Sequence, residues 1–312
     1  MRVIVADKAG FCQGVKRALD LAIKEATQSP EPVYTFGPLV HNNQVITYLE
    51  DLGIERIDEA LQAPPGSHVI IRSHGIGPLD MEKLEEQELT IIDATCVKVK
   101  QVQDFAKSLI ERGYALIVLG APEHPEIKAI REYINDRALV IHSLDEIIEP
   151  LFNPIPEKVG LVSQTTLSKI FFDQAVEKIR KQIPNLEVHN TICGATETRQ
   201  EEARKVAERS DMVIVIGSPF SSNTSRLAEV CVEHVPVKKI ETEEDISEEW
   251  FTKNMTVGVT AGASTPEWVI KQVLKVIISI GEMLDGECEV INGDMYLTKD
   301  NKSQEKNGGS SV

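Results

Sequence analysis

The sequence predicts an α/β fold built of three similar modules. Apolar, β-branched runs alternate with segments whose apolar residues recur at three- and four-residue spacings, the pattern of strands feeding helices in mostly parallel sheets. Three short elements then recur in the same order in each third of the chain, and 312 residues can supply several cores.

The first recurring element is a strand-like run that ends near a cysteine: VIVADKAGFC at 3–12, LTIIDATC at 89–96 and LEVHNTIC at 186–193. A helical face follows each cysteine, through Val15, Ala18, Leu19 and Ala22, then Val99, Val102, Phe105, Leu109 and Ile110, then Ala203, Val206 and Ala207. The second element is a strand ending in glycine: VYTFGPLVHN at 33–42, ALIVLGAPEHPE at 115–126 and MVIVIGSPFSSN at 212–223. Four residues past Gly37, Gly120 and Gly217 stand His41, His124 and Ser221. The third element, VIIRSHG at 69–75, VGLVSQTT at 159–166 and VGVTAGAST at 257–265, delivers His74, Thr165 and Ser264 just past a strand end. The repeat divides the chain into modules at 1–88, 89–185 and 186–297, each the size of a small α/β domain. The polar remainder, TKDNKSQEKNGGSSV at 298–312, reads as a disordered tail. Because α/β sheets bind ligands beyond the carboxyl ends of their strands, modules with those ends facing inward would place all nine elements around one cavity.

Composition narrows the function. A net charge of −16 repels nucleic acid and anionic membrane, so neither is expected as a partner. An anionic substrate must then be held by a local site. The start, MRVIVADKAGFCQGVKRA, has no apolar leader core, and no apolar run reaches the roughly 18 residues that span a bilayer, so a cytoplasmic setting is expected. Five cysteines, odd in number and far apart, do not read as a disulfide framework.

Three cysteines at equivalent strand–helix junctions point to metal chemistry. A helix N-terminus favours thiolate, the form that binds metal. Thiolates hold zinc or iron–sulfur clusters, but structural zinc takes four ligands, commonly in C-x₂-C pairs, and no such pair is present. Three thiolates on a [4Fe–4S] cube would leave one iron open. Cys231, in a helical pattern, reads as core, and Cys288 lies near the end outside the repeats. His68, His142, His189 and His234 also fall outside the repeats and read as structural or surface residues.

The remaining repeated residues, His41, His74, His124, Thr165, Ser221, Ser222, Asn223 and Ser264, are donors with almost no fixed positive charge. Imidazole can donate from one or both nitrogens, and a phosphate beside it raises its pKa. Several such hydrogen bonds, each contributing about 1.5–3 kcal/mol to a charged group, would hold a diphosphate without Lys or Arg. The segment SSN at 221–223 also reads as a helix N-terminus, which attracts anions. Glu126 is the carboxylate beside a repeated histidine, placed to deliver a proton from a closed pocket.

Taken in order, GFCQGVKRA, VHN at 40–42, RSHG at 72–75, DATC at 93–96, HPE at 124–126, SQTTLS at 163–168, ICGAT at 192–196, SSN at 221–223 and VTAGAS at 259–264 resemble the 4-hydroxy-3-methylbut-2-enyl diphosphate reductase family, over about residues 1–280. These enzymes perform the last step of non-mevalonate isoprenoid synthesis. The resemblance implies three modules in a pseudo-threefold, trefoil-like arrangement around one [4Fe–4S] cluster on Cys12, Cys96 and Cys193. It implies that the substrate hydroxyl meets the open iron and leaves as water after two electrons and two protons, giving isopentenyl and dimethylallyl diphosphates. An electron donor such as ferredoxin or flavodoxin is implied as partner. By the same resemblance His41, His74, His124, Ser221, Ser222, Asn223 and Ser264 bind diphosphate, Glu126 donates the proton with His124 beside it, and Thr165 orders the hydroxyl or a water. Two positions depart from the family pattern: Val97 replaces the usual proline after the middle cysteine, and Phe220 the usual asparagine before the serine pair. They bear on loop geometry more than on reaction class. A three-module cluster dehydratase of the quinolinate-synthase type would also use three cysteines, but leaves the diphosphate donors and HPE unexplained. A non-catalytic cluster-binding redox sensor would need an output element that the sequence lacks.

Overall fold

The alternating pattern becomes strands and helices that alternate along most of the chain. A computed structural model of the chain describes residues 1–297, so the tail at 298–312 lies outside the described residues. The chain opens with β1 (Arg2–Val5), α1 (Gln13–Gln28), β2 (Val33–Phe36), α2 (Asn43–Asp51), β3 (Glu55–Ile57), β4 (His68–Ile71), α3 (Pro78–Glu85) and β5 (Thr90–Asp93). It continues with α4 (Val97–Glu111), β6 (Ala115–Leu119), α5 (Pro125–Tyr133), β7 (Ala138–Ile141), β8 (Val159–Ser163), α6 (Lys169–Gln182) and β9 (Glu187–Val188). The last stretch is α7 (Gly194–Ala207), β10 (Met212–Ile216), α8 (Ser222–Val232), β11 (Val237–Ile240), β12 (Thr256–Ala261), α9 (Glu267–Asp285), β13 (Glu289–Ile291) and α10 (Asp294–Leu297).

Three sheets result, all parallel, with the orders β3-β2-β4-β5, β7-β6-β8-β9 and β11-β10-β12-β1-β13. The expected α/β class and the threefold repeat are therefore both present. The sheets do not follow the boundaries drawn at 88/89 and 185/186. β5, the strand that leads to Cys96, pairs with β4 of the first sheet, and β9, which leads to Cys193, pairs with β8 of the second. The third sheet takes its equivalent strand from the start of the chain: β1 pairs with β12. Each cysteine thus marks the exit from one sheet and the entry to the next module's first helix. The sequence assigned strand identity correctly, but sheet membership depends on which edge a strand meets, and that is not local information.

The chain forms two compact units. One contains Met1–Phe11 together with the described chain from Thr198 to residue 297 and holds the five-stranded sheet; the other, Cys12–Glu197, holds both four-stranded sheets. Central strands such as β10 and β8 are buried along their whole length, which is why they read as unbroken apolar runs. Burying each Val, Leu or Ile there contributes roughly 1.5–3 kcal/mol. Gly160 in β8 lets Leu109 of α4 sit against the sheet: a Cβ there would lie 2.9 Å from both Leu109 methyls. Among the described residues no helix is long and apolar enough to cross a membrane.

Candidate active site

Nine helices begin at or within four residues of a repeated polar residue: Cys12 before α1, His41 before α2, His74 before α3, Cys96 before α4, His124 before α5, Thr165 before α6, Cys193 before α7, Ser221 before α8 and Ser264 before α9. The recurring polar positions are thus helix starts at strand ends, where free N–H groups and the helix dipole favour negative charge. Equivalent backbone bonds position them. Ser73, Gln164 and Gly262 donate to Leu39, Leu119 and Ile216, at 3.2, 2.8 and 2.9 Å. The cysteine loops then dock on these turns: Cys96 N–H donates to Ser73 O at 3.0 Å, Cys193 N–H to Thr165 O at 2.9 Å and Gly10 N–H to Ala261 O at 3.4 Å.

In the Cys12–Glu197 unit the three repeated cysteines come together. Cys12 caps α1, its Sγ accepting Val15 N–H at 3.4 Å, and Cys96 caps α4. A Cβ on Gly14 would lie 2.8 Å from Cys96 Sγ and 3.8 Å from Cys12 Sγ, so the absence of a side chain there lets the two thiols approach. Burial pushes the Cys96 thiol up, and although the N–H groups of Lys98 and Val99 oppose this, the Cys12 and Cys193 thiols push it further. None of the three is in a disulfide. Three thiols brought together at the starts of α1, α4 and α7 fit a cationic thiophilic centre. Cys231 is different: it is fully buried in α8, its Sγ points to Ala203 O at 3.6 Å, and burial pushes its thiol up to about 12. Burial also raises Cys288.

Three imidazoles form the second group in the same unit. His41 and His74 lie 4.5 Å apart by ring centroids, His74 and His124 5.5 Å, and His41 and His124 6.1 Å. One ring nitrogen from each falls within 4.8 Å of the others, so one small polyoxygen group or metal ion would touch all three. Burial lowers the basicity of all three. It takes His124 down to about 3, helped by His41 and Arg72, and His74 well below the ordinary histidine value, helped by His41, His124 and Arg72. His41 is lowered by burial, then by Arg72 and Arg56. His124 Nδ1 accepts Glu126 N–H at 3.2 Å, so its ring proton is on Nε2 and available to a ligand. His74 Nδ1 is buried without a hydrogen-bond partner among the described residues.

Glu126 lies in the first turn of α5, fully enclosed. Its Oε1 accepts Thr165 N–H and its Oε2 accepts the Thr165 hydroxyl, each at 2.8 Å. Burial raises the carboxyl to about 7 against the lowering effect of both Thr165 bonds. It is therefore near half protonation at neutral pH, the condition for a proton donor. Because Thr165 O also holds Cys193 N–H, the pair is tied directly to a cysteine loop.

In the other unit Ser221 caps α8, accepting Thr224 N–H at 3.3 Å, and Ser264 Oγ donates to Ser221 Oγ at 3.4 Å. Asn223 is buried in the first turn and Ser222 is half-buried. Gly217 and Gly262 leave room for Thr224: a Cβ on either would lie 2.5 or 2.2 Å from Thr224 Oγ1. That close approach brings the β10 and β12 loops, and hence Ser221 and Ser264, together. Of the two departures from pattern, Val97 is 67% exposed and Phe220 73% exposed, so both side chains face solvent. Of the histidines outside the repeats, His68, His142 and His189 pair with Glu25, Glu146 and Glu187. The donors themselves carry no fixed positive charge, but the charge of Arg72 acts on all three imidazoles. The available signal was a cation two residues before His74 within the repeated element.

Residues 3–278 match the family model described as LytB protein. The chain is 42% identical over 275 residues to the 4-hydroxy-3-methylbut-2-enyl diphosphate reductase of Pelobacter propionicus, covering 88% of this chain and 96% of that protein. It is 41% identical over 284 residues to the protein of the same name from Aquifex aeolicus, covering 90% and 97%. A solved structure of (E)-4-hydroxy-3-methyl-but-2-enyl diphosphate reductase, described as the terminal enzyme of the non-mevalonate pathway, matches with a TM-score of 0.66 at 40% identity, covering 88% and 98%. The E-1-hydroxy-2-methyl-but-2-enyl-4-diphosphate reductase of Plasmodium falciparum matches with a TM-score of 0.86 at 26% identity, covering 93% and 91%. With the repeated cysteines, histidines and buried glutamate in place, this chain belongs to the LytB protein family.

Proposed function

We propose that this chain is a 4-hydroxy-3-methylbut-2-enyl diphosphate reductase, which removes the substrate hydroxyl as water and releases isopentenyl and dimethylallyl diphosphates. The observation that carries this reading is one unit in which three thiols, three neutral imidazoles and a protonatable carboxyl are linked through Ser73, Thr165 and His124. Cys12, Cys96 and Cys193 would hold one [4Fe–4S] cluster. Such a cluster supplies electrons one at a time and an iron without a protein ligand.

The chain's own residues then divide the remaining work. His41, His74 and His124 donate to the diphosphate, whose charge raises the imidazole pKa values and recruits protons as it binds. Ser221, Ser222, Asn223 and Ser264 are assigned as further diphosphate donors; the start of α8 suits an anion. Glu126 supplies a proton, directly or through the Thr165 hydroxyl, which reverses its hydrogen bond as Glu126 ionises. The balance is two electrons and two protons in, and water and a carbon-bound hydrogen out. A ferredoxin or flavodoxin is the proposed electron donor, and the cytoplasm, where thiols stay reduced, suits five free cysteines.

Anaerobic turnover with a chemically reduced viologen tests the assignment. Both five-carbon diphosphates should form from the hydroxylated substrate by cluster-loaded protein; loaded protein that yields neither product contradicts it. Gly14→Ala should lose most bound iron while remaining folded, because the added methyl meets Cys96 Sγ. Iron and sulfide assays beside a melting curve check this, and unchanged iron content would show that the thiols have room to spare.

A further inference from the structure

Arg72 is a mostly enclosed guanidinium that the mechanism above does not use. It follows β4 and lies between two left-handed glycine turns, Gly37 at φ 70° and Gly75 at φ 74°. Its Nε donates to Gly75 O at 3.2 Å, its one side-chain hydrogen bond among the described residues. A Cβ on Gly37 would lie 2.5 Å from Arg72 Nη1, so that turn is open to the guanidinium only because it carries no side chain. Gly37 leads to His41 and Gly75 adjoins His74, so Arg72 joins the two turns that present these imidazoles.

Among the described residues the charge has no counter-ion. Asp58 and Asp80 attract it from a distance, but Asp58 is paired with Arg56 and Asp80 with Lys83. No carboxylate lies within ion-pair distance of Arg72 among the described residues. A desolvated cation without a partner is unfavourable unless an anion completes it. Its charge acts on His41, His74 and His124, with Arg56 adding at His41, and these imidazoles are the proposed diphosphate donors.

Resting on that reading of the imidazoles, we propose that Arg72 is a positioning residue which fixes the His41 and His74 turns and supplies the diphosphate site with its permanent positive charge. It divides the labour: the imidazoles give directional donors, and Arg72 gives a field that does not vanish as pH rises. Removing it would leave a site whose charge comes from imidazole protonation alone. Binding would then become steeply pH-dependent, because imidazoles freed from the guanidinium's repulsion take up protons more readily at low pH.

Anaerobic calorimetric titration of inorganic pyrophosphate into cluster-loaded protein tests this at about pH 6 and about pH 8.5, below and above the ordinary imidazole value toward which bound pyrophosphate raises the three histidines. Arg72→Met should bind about 10-fold more weakly than wild type at the higher pH and within about 2-fold at the lower, as expected for losing one charge–charge contact. Arg72→Lys should recover most of the high-pH affinity. The variant-to-wild-type ratio removes the titration of pyrophosphate and of Glu126, which both proteins share. Equal affinity of Arg72→Met and wild type at high pH overturns the proposal, as does an equal loss at both pH values without rescue by lysine, which would mark packing alone. Failure of wild type to bind pyrophosphate overturns the diphosphate reading of the imidazoles and this proposal with it.

Discussion

Glu126→Gln is expected to lower kcat by about 10²–10⁴-fold, the usual contribution of a general acid, with substrate affinity and iron content nearly unchanged. The geometry makes this substitution conservative. Glutamine Oε1 still accepts Thr165 N–H, and its Nε2 donates to Thr165 Oγ once the hydroxyl turns, so both 2.8 Å contacts are kept. Only the transferable proton is lost. The carboxyl titrates at about 7 because it is buried, so wild-type kcat should fall as pH rises through that value, and the variant should lack this limb. Stability should move the opposite way to activity. A carboxyl raised above its unfolded value stabilises the fold fully below about 4.5 and loses that contribution as pH rises through about 7. Glutamine escapes the loss, so at pH 8 the variant should be the more stable protein, by up to roughly 3 kcal/mol. Single-turnover kinetics with separately measured affinity checks the assignment; normal turnover, or a loss due wholly to weaker binding, would place the proton donor elsewhere.

Replacing Cys12, Cys96 or Cys193 with serine should remove most bound iron and reductase activity. Serine fills the same position, but its hydroxyl ionises far less readily than a thiol and is a harder ligand. Cys96 is the most informative of the three. It is the N-cap residue of α4, its Sγ packs against Gly14 and its N–H is held by Ser73 O, so its Sγ has little freedom to be replaced by a neighbour. Cys231→Ser and Cys288→Ser should keep both iron and activity, since Cys231 is packed in the core with its thiol pushed to about 12. Iron and sulfide per chain, measured anaerobically, separate the two groups. Full iron in Cys96→Ser, or iron lost from Cys231→Ser without loss of folding, would contradict the ligand set.

Much of this site is legible in the sequence because it is written three times. Spacing from strand end to polar residue recurs, and each such residue proves to start a helix, as His124 before α5 and Ser221 before α8 illustrate. What the sequence conceals is nonlocal. β1 completes the sheet of β12, although about 250 residues separate them, so module boundaries drawn along the chain place β1, β5 and β9 in the wrong sheets. The tautomer of His124 depends on the N–H it accepts from Glu126, and the field of Arg72 depends on two glycine turns folding around it. The contact of Ser264 with Ser221 likewise needs two glycines to admit Thr224.

One cluster on Cys12, Cys96 and Cys193, with an iron left open to substrate, is what the reductase reading requires above all. Mössbauer spectroscopy on freshly prepared anaerobic protein, before and after adding 4-hydroxy-3-methylbut-2-enyl diphosphate, tests it most directly. The expected result is about four irons per chain in a three-to-one pattern, with the single iron alone changing its signal when substrate is added. About two irons per chain, four equivalent irons, or a spectrum indifferent to substrate would contradict the claim.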